Sequence, residues 1–144
     1  MIFAVSNDLP KKIHDAAEKA NKFLENGLHV ILGKDKFTYT EDSPEMVFNH
    51  LASLAHSDVV ITVLPWKPFN RWTSAIATTF KNKPNEIYVN VRKIDQRSVR
   101  DYVNTMSHEF CHTPGGYGHG GNSPAGKSDS VPYWVGSQAS LYFY

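Results

Sequence analysis

A single cysteine, Cys111, stands in this chain of 144 residues, so no intramolecular disulfide can form and none argues for a cross-linked exported scaffold. No apolar run approaches the roughly 20 residues that span a bilayer. The opening, MIFAVSNDLP, has no basic flank, and its apolar stretch of about five residues is shorter than the 7–15 or so of a secretory core. Localisation is therefore left open. Charge of one sign is also missing. Fifteen Lys and Arg face fourteen Asp and Glu, a net of +1, which offers no field for nucleic acid, an anionic membrane or a strongly acidic partner. The remaining balance, 41% hydrophobic and 20% charged, is that of an ordinary globular protein, and the length suits one domain with its own core.

Hydrophobic periodicity and local stop signals divide the chain into elements. Met1 to Val5 reads as a short strand or a frayed end. A helix is expected over about residues 9–26, with Asn7 or Asp8 as cap and Gly27 as stop; Ile13, Ala16, Ala17, Ala20, Phe23 and Leu24 form its apolar face. Leu28 to Thr40 is β-prone, broken at Gly33, and is expected to give a short strand or two. Ser43-Pro44-Glu45 opens a second helix reaching about His56, with Met46, Val47, Leu51, Leu54 and Ala55 inward. VVITVL, after Asp58, suits a strand buried on both faces, interrupted by the prolines of PWKPFN.

Trp72–Phe80 and Glu86–Val91 read as further strands joined by the polar turn KNKPN. Ser98 can cap a third helix, with Asp101 three residues on completing a capping box, and Val99, Tyr102, Val103, Met106 and Phe110 forming its buried stripe. Pro114, Gly115 and Gly116 end it. Residues 113–130 are expected to be irregular, and VPYWVGSQASLYFY to dock on the core as a helix. The expected fold class is α+β: one domain over residues 1–144, with a small mixed or antiparallel sheet packed by about three to four helices.

The chemistry concentrates in SHEFCHTPGGYGHGGN, residues 107–122. His108 and His112, four apart on a helix, lie one above the other and can present two imidazoles to one ion. Glu109 sits about 100° round the helix, able to border such a site without binding the ion. This is the physical content of the H-E-x-x-H pattern, and nitrogen ligands of this kind suit zinc. A third ligand is needed, and no glutamate follows Glu109. The downstream choices are His119 and Asp129, or else the ligand comes from upstream. His119 is favoured, because Gly115, Gly116, Gly118, Gly120 and Gly121 allow the chain to swing back beneath the helix end. Cys111 points away from His112 and reads as a small buried residue; His14, His29, His50 and His56 share no ligand spacing and read as surface or packing residues.

HExxH, a turn glycine and a third histidine together resemble the metzincin zinc peptidases, whose pattern is H-E-x-x-H-x-x-G-x-x-H. His108 and His112 match the first two ligands, Glu109 the base and Gly115 the turn glycine, while His119 matches the third ligand one residue late. Aligning Gly116 to the turn instead moves the insertion upstream. More broadly, residues 58–136 resemble small bacterial and phage proteins with a minimal metzincin-like catalytic domain. Metzincins carry a methionine in a turn beneath the metal, yet none follows Met106 here. Ser130-Val131-Pro132-Tyr133 is the expected floor in its place, with Tyr133 near the metal.

The resemblance implies a zincin-like domain holding one catalytic Zn2+, and a metalloendopeptidase that hydrolyses peptide bonds by metal-activated water. Glu109 is then the general base, and Tyr117 or Tyr133 a donor to the oxyanion. The expected partner is a peptide or protein substrate lying extended beside Trp72–Phe80, with no nucleic acid or membrane and an oligomeric state left open. Two other classes compete. One is a zinc-stabilised non-catalytic binding domain. The other is a three-histidine RNA-processing hydrolase, against which stand Glu109 and the near-neutral charge.

Overall fold

Strands β1 (Ile2–Val5), β2 (Val60–Trp66), β3 (Ala77–Phe80) and β4 (Lys83–Asn90) form one sheet in the spatial order β1-β2-β4-β3. The first two and β4 run parallel, and β3 pairs antiparallel with β4 at the edge. Helices α1 (Lys11–Asn26), α2 (Pro44–Ala55), α3 (Val99–His112) and α4 (Val131–Tyr142) complete a single small domain of the α+β class. The computed structural model describes residues 1–70, 72–120 and 126–143.

Alternation decides which side of the sheet is covered. Ile61 and Val63 of β2 and Ile87 and Val89 of β4 are buried in the same core as the apolar faces of α1 and α3. Val60 is 48% exposed, so β2 is covered fully on one face only, not on both as its sequence suggests. The α1 face emerges as read, from Ile13 to Leu24, although the N-cap is Pro10 with no side-chain cap, and neither Asn7 nor Asp8 serves. Ser43 caps α2 by accepting from the Met46 amide, with Pro44 in its first turn.

Several boundaries differ from the sequence reading. Leu28–Gly33 is a 3-10 helix continuing from α1, with Leu28 and Ile31, three apart, buried together. Beyond it, among the described residues, Thr38 alone makes a bridge, to Ser130. The β-prone side chains of Leu28–Gly33 pack among α1, α2 and α4 instead. Strand β2 also runs through Pro65, which pairs with Val89. The Val63 carbonyl accepts from the Ser6 amide, so Val63 and, two residues on, Pro65 face the β1 side, where β1 has already ended at Val5. The proline therefore removes no ladder bond. Finally, β3 starts only at Ala77, β4 starts earlier at Lys83, and Val91 belongs to a 3-10 helix, Val91–Gln96.

Candidate metal centre

Helix α3 is fixed at both ends before it presents any chemistry. Ser98 Oγ accepts from the Asp101 amide at 3.1 Å while Asp101 Oδ2 accepts from the Ser98 amide at 2.9 Å, a reciprocal capping box. Tyr102, Val103, Met106 and Phe110 are fully buried beneath it. At the other end the chain turns sharply back. The amides of Gly115, Gly116 and Tyr117 donate to the carbonyls of Phe110, His112 and Cys111. A Cβ on Gly115 would lie 2.4 Å from the Cys111 carbonyl oxygen, and Gly116 has φ +83, so glycine is required at the first by space and at the second by conformation.

This reversal brings His119 to the two helical histidines. One ligand atom from each of His108, His112 and His119 can be chosen so that all lie within 4.8 Å of one another, the one such group of three among the described residues. The Nε2 atoms of His108 and His112 are 3.1 Å apart. His112 donates its Nδ1 proton to the Tyr117 carbonyl at 2.7 Å, which leaves the Nε2 lone pair turned toward His108. His119 Nδ1 is buried with no hydrogen-bond partner among the described residues. Three imidazoles able to offer one nitrogen each within this distance are a donor set that a metal ion fits.

The electrostatics favour the same species. Burial, helped by His112, His119 and Lys127, holds the His108 imidazole down at about 3, and burial lowers His112 as well. Both are thus in the neutral, ligating form near pH 7. Glu109 is buried, and its carboxyl is raised to about 7 by that burial, a Thr79 hydrogen bond opposing the shift. It shares with the three histidines a cleft of about 680 Å³, walled by Ala77, Thr78, Thr79 and Phe80 of β3 and by Tyr133.

The two tyrosines part company. The Tyr133 ring packs with its centroid 4.5 Å from that of His108 and 4.9 Å from that of His119, and Lys127 Nζ lies 4.7 Å from the same centroid. Tyr117 is turned away: it is buried, and its hydroxyl donates to Asp42 Oδ2 at 2.8 Å, so the expectation that it faces a reacting carbonyl is not met. Asp129, the alternative ligand, instead pairs with Lys34 Nζ at 2.6 Å. Cys111 is buried, and burial pushes its thiol up, away from a ligating thiolate. Gly121 and the rest of 121–125 lie outside the described residues.

Asp42, Thr79 and Lys127 carry no signal in the sequence, and His50, expected to be a surface or packing residue, packs against the glycine turn. His50 Nε2 donates to the Gly115 carbonyl at 2.8 Å, a contact across 65 residues for which no local spacing gives a signal. Comparison of the chain with protein-family models and with curated proteins finds no match.

Proposed function

We propose that His108, His112 and His119 hold one zinc ion, and that the chain is a zincin-like peptide hydrolase with Glu109 as its general base. The observation that carries the reading is the meeting in one cleft of three histidine ligand atoms within 4.8 Å and a buried carboxyl group raised to about 7. Such a carboxyl is poised to gain and lose a proton near neutral pH, as acid–base catalysis requires. The likeness of HExxHxxG and its third histidine to the metzincins points the same way.

Bound at this donor set, zinc would supply Lewis acidity toward a carbonyl and toward water near pH 7. The chain's own residues supply the rest. Glu109 accepts a proton from water in the cleft and hands it to the departing amine. His112, its Nδ1 proton given to the Tyr117 carbonyl, keeps its Nε2 lone pair free to serve as a ligand. Tyr133, packed on His108 and His119, is the remaining tyrosine beside the site and donates its hydroxyl to the developing oxyanion. Strand β3, outermost in the sheet and lining the cleft, offers main-chain groups to an extended peptide.

The test is a cleavage assay against a mixed peptide library, with new termini read by mass spectrometry, on zinc-loaded wild type and Glu109→Gln. The reading expects cleavage by the wild type and retained zinc without cleavage in the variant. Equal cleavage by both proteins would remove Glu109 from the chemistry. A wild type that binds zinc and cleaves nothing would favour a binding domain in which the metal serves folding alone.

A further inference from the structure

We infer that Asp42 and Tyr117 are positioning residues of the metal site, acting on His112 through the backbone of the glycine turn. The inference rests on the metal-binding reading above, and concerns what holds the turn in place rather than what binds the ion.

An imidazole serves as a ligand through one nitrogen only if its other nitrogen is settled, and His112 settles Nδ1 on a backbone carbonyl, that of Tyr117. A carbonyl in a glycine-rich turn is a weak anchor unless the turn is itself held. Here it is held by the side chain of the same residue. The Tyr117 ring is buried, and its hydroxyl reaches across 75 residues of sequence to Asp42 Oδ2 at 2.8 Å. Asp42 is fixed in turn, its amide donating to Thr40 Oγ1 at 3.1 Å immediately ahead of α2. A second tie comes from α2 itself. His50 donates to the Gly115 carbonyl, and its ring lies edge-on to Tyr117 with centroids 5.8 Å apart.

A hydrogen bond to a carboxylate is among the stronger available to a phenol, and a planar buried ring transmits its position rigidly to the backbone. The chain of contact therefore runs from Asp42 to the Tyr117 hydroxyl, from the Tyr117 carbonyl to His112 Nδ1, and leaves Nε2 for the ion. Tyr117 thus belongs to the site by its backbone oxygen, while its hydroxyl serves as an anchor.

The experiment compares wild type, Tyr117→Phe, Asp42→Ala and Asp42→Asn, using Zn2+ in competition with a chromophoric chelator and, separately, 15N-resolved imidazole spectra of the metal-free proteins. Tyr117→Phe and Asp42→Ala are expected to bind zinc about 10- to 100-fold more weakly. In both, the His112 signal should move from a fixed Nδ1–H tautomer to a mixture of the two. Asp42→Asn, which still offers an oxygen to the phenol, should recover most of the affinity and the tautomer. Wild-type affinity with a fixed Nδ1–H in both Tyr117→Phe and Asp42→Ala would overturn the assignment. Should the wild type take up no zinc, the metal reading fails and the spectra alone decide: a tautomer released in the variants supports the positioning role, and an unchanged one overturns it. Tyr117→Phe keeps the buried ring, so it answers even if Asp42→Ala does not fold.

Discussion

His108 and His112, one helical turn apart, bring their Nε2 atoms to 3.1 Å. Two ligands about 2.0–2.1 Å from a tetrahedral ion are separated by about 3.3 Å, so these nitrogens need move only a few tenths of an ångström to share one. Two neutral imidazoles held this close by helix geometry form a pre-set clip, and the turn through Gly115 and Gly116 closes it with His119.

The clip depends on how closely α4 approaches α3. At Gly136 an added Cβ would lie 2.4 Å from Asn104 Oδ1, 2.9 Å from the Asn104 carbonyl and 3.2 Å from His108 Cβ. Gly136→Ala is therefore expected to lower stability by about 1–3 kcal/mol, the usual cost of overpacking, and to weaken metal binding by displacing His108. Urea unfolding together with a zinc titration checks both. A variant as stable and as tight-binding as the wild type would show that the helices part without disturbing the site.

His108 and Glu109 pull stability in opposite directions with pH when no metal is present. His108 titrates near 6.5 when unfolded and at about 3 when folded, so the unfolded chain takes up the proton first and stability falls as pH falls across that window. Glu109 rises from about 4.5 unfolded to about 7 folded, so the folded chain keeps the proton and stability falls as pH rises across that window. Between pH 4.5 and 6.5 the two contributions oppose each other. Glu109→Gln removes one of them, and the metal-free variant should lose stability on acidification there more steeply than the wild type, by up to about 1.4 kcal/mol per pH unit. Thermal or urea unfolding across the range measures it, and parallel curves for the two proteins would contradict it.

Tyr133 separates packing from chemistry. Tyr133→Phe preserves the ring against His108 and His119, so zinc should stay bound. On the proposed hydrolase reading, loss of the hydroxyl should slow peptide cleavage by about 10²-fold in kcat, as removal of an oxyanion donor does elsewhere. An unchanged kcat would leave the oxyanion to another donor, with Lys127, stacked over the same ring, the next to replace.

Much of the site was legible because it is local. The Ser98–Asp101 box, the stripe from Tyr102 to Phe110, the i, i+4 histidines and the glycine stop are all written within about twenty consecutive residues, and each follows from helix geometry. What stayed hidden depends on contacts remote in sequence. The use of the Tyr117 hydroxyl is decided by Asp42, and the hold on Gly115 by His50. The β-prone run from Leu28 forms no strand because propensity describes a half-buried pleat, and this segment packs among helices instead. Pro65 was read as a strand breaker because the early end of β1, which makes that position harmless, is a property of the assembled sheet.

The central claim is a three-histidine metal site, and the most direct measurement is the zinc content of wild type and His119→Ala, purified identically and assayed by elemental analysis after zinc is supplied and excess removed. About one zinc per wild-type chain and far less in the variant is the predicted result. Equal zinc in both would exclude His119 as a ligand, and zinc in neither would contradict the site altogether.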